Sequence, residues 1–112
     1  MFTVITICKR PDTTHPFFFH SELWQDPAWQ ARIQEVKGNY ENYSEEEIVS
    51  EDQLTLTKIN YFDSKEQAEE IIVFNLAYFP TMYARGKYST EKEHFFIQTP
   101  QFDRVSGKFI SE

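Results

Sequence analysis

One cysteine, three glycines and the lack of any long apolar run narrow the options for this 112-residue chain before a motif is sought. Cys8 alone excludes an intramolecular disulfide, a thiolate zinc cluster and a Cys-x-x-Cys redox pair. Its neighbours Phe2, Val4, Ile5 and Ile7 predict a buried thiol that acts as a small apolar side chain. Scarce glycine leaves no phosphate-cradling loop, since Gly86-Lys87 lacks every other element of a P-loop, and Ser64 has no glycine elbow or neighbouring base that would make it a nucleophile. No apolar stretch approaches the roughly 20 residues of a membrane span, and no basic segment leads into a signal-like apolar one. The expectation is a cytoplasmic protein with no membrane partner. With no repeat, linker or low-complexity segment, 1–112 reads as a single α+β domain with 100–112 as a C-terminal tail or hairpin, long enough to bury about two thirds of its unfolded surface.

Basic residues are also scarce where they would matter for nucleic acid. Residues 41–70 hold ten acids against two bases, a balance of −8 within a total of −7, so everything outside that window is close to neutral. Nucleic acid is a poor partner for such a surface, because phosphate binding needs a basic footprint. Glu45, Glu46 and Glu47 are instead the candidates for docking a basic protein partner, set against the plainer role of a solvated acidic edge that favours solubility. Aromatic residues are abundant, at 17% of the chain with 11 phenylalanines. Either the core is thick with rings or some of them form an interface with another copy.

Patterning predicts the elements. Phe2 to Lys9 is β-branched and aromatic and stops before Pro11, as a strand does. Phe17-Phe18-Phe19 is a short strand extension or an apolar plug leading to Trp24. Asp26-Pro27 starts a helix through Lys37 with Trp29, Ile33 and Val36 at helical spacing, and Gly38 stands where a left-handed terminal residue is expected. Tyr43 to Ser50 reads as a polar strand, although its acidic cluster would also suit a loop, turning through Glu51-Asp52 into a better one, Gln53 to Phe62, where Leu54, Leu56 and Lys58 share a face. Ser64-x-x-Gln67 is a capping box opening a second helix at Lys65. The core face of that helix is Ala68, Ile71, Ile72, Asn75 and Phe79, while Val73, Phe74, Leu76 and Ala77 make it apolar nearly all round, so Val73, Phe74 and Ala77 are candidates for a contact with another chain. Pro80 to Tyr88 is a short helix or irregular turn, and Arg85, Lys87 and Lys92 with Tyr83 and Tyr88 make a basic, aromatic patch suited to self-association with the acidic window. His94 to Thr99 is the last strand, followed by a tail that can form a hairpin around Ser106-Gly107.

Strand, helix, strand, strand, helix, strand predicts a ferredoxin-like βαββαβ sandwich: a four-stranded antiparallel sheet with two helices on one face. The long strand ending in an aromatic-Asp63-Ser64 junction, followed by the Lys65 to Glu70 helix start, resembles the dimeric α/β barrel superfamily, which includes small cofactor-free monooxygenases. That resemblance implies a homodimer whose open sheet faces pair. The composition is also similar to that of many small accessory proteins of bacteriophages.

The histidines fall in no metal-ligand pattern, and Glu66 and Glu70 look solvated, so nothing predicts a metal or cofactor. The expected function is that of a small, acidic, non-enzymatic accessory protein acting through protein contacts. The alternative is a monooxygenase-like enzyme or ligand-binding barrel with His20, Trp24, Tyr61 and His94 lining a pocket between helices and sheet, and no catalytic residue assigned.

Overall fold

The computed structural model describes residues 1–80, 82, 93–98, 102–103 and 108–109. Strand β1 (Phe2–Lys9) is followed by a 3-10 turn (Phe18–His20), helix α1 (Pro27–Lys37), strands β2 (Ser44–Val49) and β3 (Thr55–Phe62), helix α2 (Lys65–Tyr78), and strand β4 (His94–Gln98). Two short strands, β5 (Phe102–Asp103) and β6 (Lys108–Phe109), pair as a separate antiparallel hairpin. No helix among the described residues is long and apolar enough to cross a membrane. The Tyr83 to Lys92 patch and the Ser106-Gly107 turn lie outside the described residues.

The four long strands form one sheet in the order β2-β3-β1-β4. Four strands are as expected, but the sheet is mixed and not antiparallel throughout: β4 runs parallel to β1, with His94 opposite Thr3 and Ile97 opposite Thr6. The reason lies in a connection, not in an element. α2 starts beside Phe62, at the sheet end where β1 begins, and the chain between Tyr78 and His94 is long enough to return to that end before the last strand starts.

Alternation along each strand decides what the sheet covers. Phe2, Val4, Thr6 and Cys8 of β1, Leu56, Lys58 and Phe62 of β3, and Phe95 and Ile97 of β4 are buried on one face, where both helices lie. Thr3, Ile5 and Ile7 point the other way and are only half-buried. Cys8 is buried and takes part in no disulfide.

The helix ends follow local chemistry. The Asp26 carboxylate accepts from the Trp29 amide, with Pro27 in the first turn. Gly38 departs from expectation: its φ of −62° is right-handed, because α1 runs on into a turn in which Gly38 N–H donates to Gln34 and Tyr40 N–H to Lys37. The left-handed residue is Gln53, with φ of 62°, at the β2–β3 turn. Ser64 Oγ accepts from Gln67 N–H at 3.3 Å, while the Gln67 side chain reaches one residue further back than a capping box requires, to Asp63 N–H. Ser64→Ala should cost about 1 kcal/mol in a urea titration; an unchanged midpoint would show that packing alone fixes this helix start.

The Phe17–Phe19 segment is a plug, not a strand extension. All three rings are buried, and Phe18 packs edge-on against Trp24 at 5.5 Å and Phe79 at 5.2 Å. Arg10 holds the plug from outside, its guanidinium 4.1 Å from the Phe17 ring centre while donating to the carbonyls of Gln53 and His15.

Candidate functional site

Lys58 occupies a core position. Its neighbours Leu56 and Phe62 on the same strand face are fully buried, and Lys58 itself is 4% exposed. An ammonium group placed there must find compensating charge, and strand pairing supplies it: Glu47 lies opposite Lys58 and Glu45 opposite Asn60. The Lys58 Nζ is 3.8 Å from Glu45 and 3.9 Å from Glu47. It also sits 4.3 Å from the centre of the Phe19 ring and 5.4 Å from that of Trp24, so the aromatic plug faces the cation.

A second buried ammonium group reaches the same carboxylate from the last turn of α1. Lys37 donates to Glu45 at 3.0 Å and lies 5.2 Å from the centre of the Tyr43 ring. Glu45 further accepts from the Tyr43 hydroxyl and, at 3.3 Å, from Asn60 Nδ2. The other end of the cluster is exposed, where His20 meets Glu47 at 2.7 Å. Burial pushes the Glu45 carboxyl up, but the ammonium groups of Lys58 and Lys37 and the hydrogen bonds outweigh it, leaving Glu45 below its ordinary value. Burial pushes Lys58 down, and the two glutamates only partly offset this.

An amine held in this way is a potential nucleophile, but the space around it decides otherwise. The partly open cavity bounded by Lys37, Lys58, Asn60, Asn75, Thr6 and Trp24 has a volume of about 20 Å³. That is room for about one water molecule and for no substrate. The cluster is a clamp that fastens β2, whose six residues are all exposed, to β3, α1 and the plug.

The pocket candidates do not meet. Trp24 lines the small cavity, and His20 stands at its outer margin on Glu47. Tyr61 and His94 lie on the opposite face of the sheet, each paired across from Thr3, and the Tyr61 hydroxyl donates to Glu46. The three glutamates split by strand alternation: Glu45 and Glu47 turn in towards the lysines and Glu46 turns to the open face. On α2, Val73 is 67% exposed and Ala77 is exposed, whereas Phe74 is half-buried and stacked on Trp29 with 5.5 Å between ring centres. His15 is taken up locally by Asp12, at 2.9 Å. The residues missed from sequence are Lys37, Lys58, Tyr43 and Asn60. For Lys58 the signal was present, because a lysine in register with Leu54 and Leu56 faces the core.

The open face has its own pattern. Neither helix lies on it, and one row across the sheet reads Glu46, Ile59, Ile5, Phe96. Ile5 and Ile59 are half-buried, Phe96 is 43% exposed, and Ile48, two residues along β2 from Glu46, is 54% exposed. The row is apolar through its centre and acidic at the β2 end.

Comparison with protein families, curated proteins and solved structures gives no match for this chain.

Proposed function

We propose that this chain is a non-enzymatic, protein-binding accessory module that works as a homodimer with the open sheet faces stacked on one another. The observation that carries this reading is the Ile59, Ile5, Phe96 row, an apolar strip on a face that neither helix covers. Strips of this kind mark association surfaces. Stacked open faces are also what the resemblance to dimeric α/β barrels implies.

Charge selects the geometry of the pair. A twofold axis across the strands would lay β2 over β2 and set Glu46 against its own copy. An axis along the strands lays β2 of one protomer over β4 of the other, so that Glu46 faces the His94 and Phe96 edge while Ile5 and Ile59 pack near the axis. The second arrangement is the one proposed.

Light scattering at micromolar concentration tests it. The expected mass is twice that of the chain, and Phe96→Glu, which buries a carboxylate in the strip and brings it to Glu46 of the partner, should weaken the dimer by about tenfold or more. A monomeric wild type, or a variant that dimerises equally well while folded by circular dichroism, would sink the proposal.

A further inference from the structure

β2 is an edge strand whose protection is charge of a single sign. Among the described residues it pairs only with β3, over a continuous register from Ser44 to Val49, so alternate residues present their N–H and C=O groups outward. It has no proline, no bulge and no lysine, and all six of its residues are exposed. What it has is charge of one sign. Residues 41–52 carry six acids and no base.

That charge discriminates between occupants. A second copy paired along this edge would set Glu45, Glu46 and Glu47 beside their own counterparts, and like charges across a ladder destabilise it. A strand bearing lysine or arginine meets the opposite situation. The two faces of β2 are not equal in this respect, because Glu45 and Glu47 are already held by Lys37, Lys58 and His20. Among the described residues Glu46 accepts from the Tyr61 hydroxyl and has no cationic side chain beside it. Two residues further on, Ile48 is 54% exposed on the same face, and Val49 is 45% exposed beside it.

We infer that the free edge of β2 takes up an extended basic segment of another protein as an added strand. This deepens the protein-binding reading above and rests on it. An antiparallel segment meets Ile48 first and Glu46 second, so its open-face side chains read apolar-x-basic, followed by a polar residue opposite Ser44. Main-chain hydrogen bonds give the affinity, and the Glu46 and Ile48 pairings give the selectivity. Face-to-face dimerisation leaves the main-chain edge of β2 accessible, while Glu46 is shared, because the dimer sets it towards the partner's β4 edge and the added strand pairs beside it.

The test uses the full chain and three synthetic ten-residue peptides, read by fluorescence anisotropy in low salt. The first carries the apolar-x-basic pattern, the second has glutamate in place of its basic residues, and the third is the first with alternate backbone amides N-methylated. The expected result is binding by the first peptide alone, weakened about tenfold by Glu46→Lys in the protein. Equal binding by the N-methylated peptide would reduce the contact to charge attraction and overturn strand addition. Equal binding by the acidic peptide, or no binding by any, would overturn it as well. Because the methylated peptide is tested on wild-type protein, a Glu46→Lys variant that fails to fold does not blur the result. Light scattering on the same samples reports the dimer independently, so loss of peptide binding with the dimer intact rejects the edge proposal without touching the dimer.

Discussion

Trp24→Ala is expected to lower stability by about 3–5 kcal/mol, the usual cost of removing a large buried ring, and to depress the melting temperature by roughly 10–20 °C. Trp24 is 4% exposed and stands at the centre of the ring cluster. It meets Phe19 at 4.9 Å, Trp29 at 5.4 Å and Phe79 at 5.9 Å, and it forms part of the aromatic wall over Lys58. Removing it therefore opens a cavity in the plug and also strips a face from a buried cation. Small domains have only about 5–15 kcal/mol in total, so a large unfolded fraction at 37 °C is within reach. Thermal unfolding followed by near-ultraviolet circular dichroism gives the answer. A melting temperature within 2–3 °C of wild type, a loss of well under 1 kcal/mol, would mean that the plug is not part of the cooperative core.

Glu45→Gln is expected to destabilise by about 1–3 kcal/mol. The figure for removing one partner of a fully buried pair is reduced here because the Glu45 side chain is 39% exposed. The loss falls on Lys37 and Lys58, which the substitution leaves buried without their shared carboxylate. Lys58→Met should be close to neutral, within about 1 kcal/mol, since it removes the group that burial penalises and leaves Glu45 with Lys37 and Glu47 with His20. In the double variant the share of the Glu45→Gln loss that falls on Lys58 should be recovered, while the share on Lys37 remains. Glu45 has its folded value below the unfolded one, so its contribution is present above the ordinary carboxylate range and lost as pH falls through the lowered value. Lys58 is also lowered, so its cost is in full force below the lowered value and is relieved as pH rises from there towards the ordinary lysine value. Urea titrations at pH 7 and in mild acid should show Glu45→Gln flattening the acid loss. Equal damage from Lys58→Met and Glu45→Gln would reject the clamp.

Much of this fold was legible from the chain. β1 and α1 have the predicted bounds, because proline and Asp26-Pro27 punctuate them with little ambiguity. The α+β class with a four-stranded sheet also followed from the order of elements, but the direction of β4 did not, because it depends on where a long connection ends. The lysine clamp was half legible. Register placed Lys58 with Leu54 and Leu56, and the expected hairpin brings β2 alongside, but which glutamate lies opposite Lys58 depends on the length of the turn, which sets Glu47 there and Glu45 opposite Asn60. Grouping the three glutamates as one docking surface overlooked strand alternation, which sends the middle one to the other face.

The central place of β1 has a consequence for the order in which the sheet can form. β1 is the earliest strand in the chain and the only one of the four with neighbours that both come much later: its ladders run to Phe62 on one side and to Gln98 on the other. Phe2 to Lys9 thus leaves the ribosome as a bare, β-prone, largely uncharged segment and waits for some fifty residues before β3 can cover one edge and some eighty before β4 can cover the other. Contacts that span so much chain form slowly. In that interval the segment is open to capture by another chain, although the finished structure sets it inside the sheet between β3 and β4.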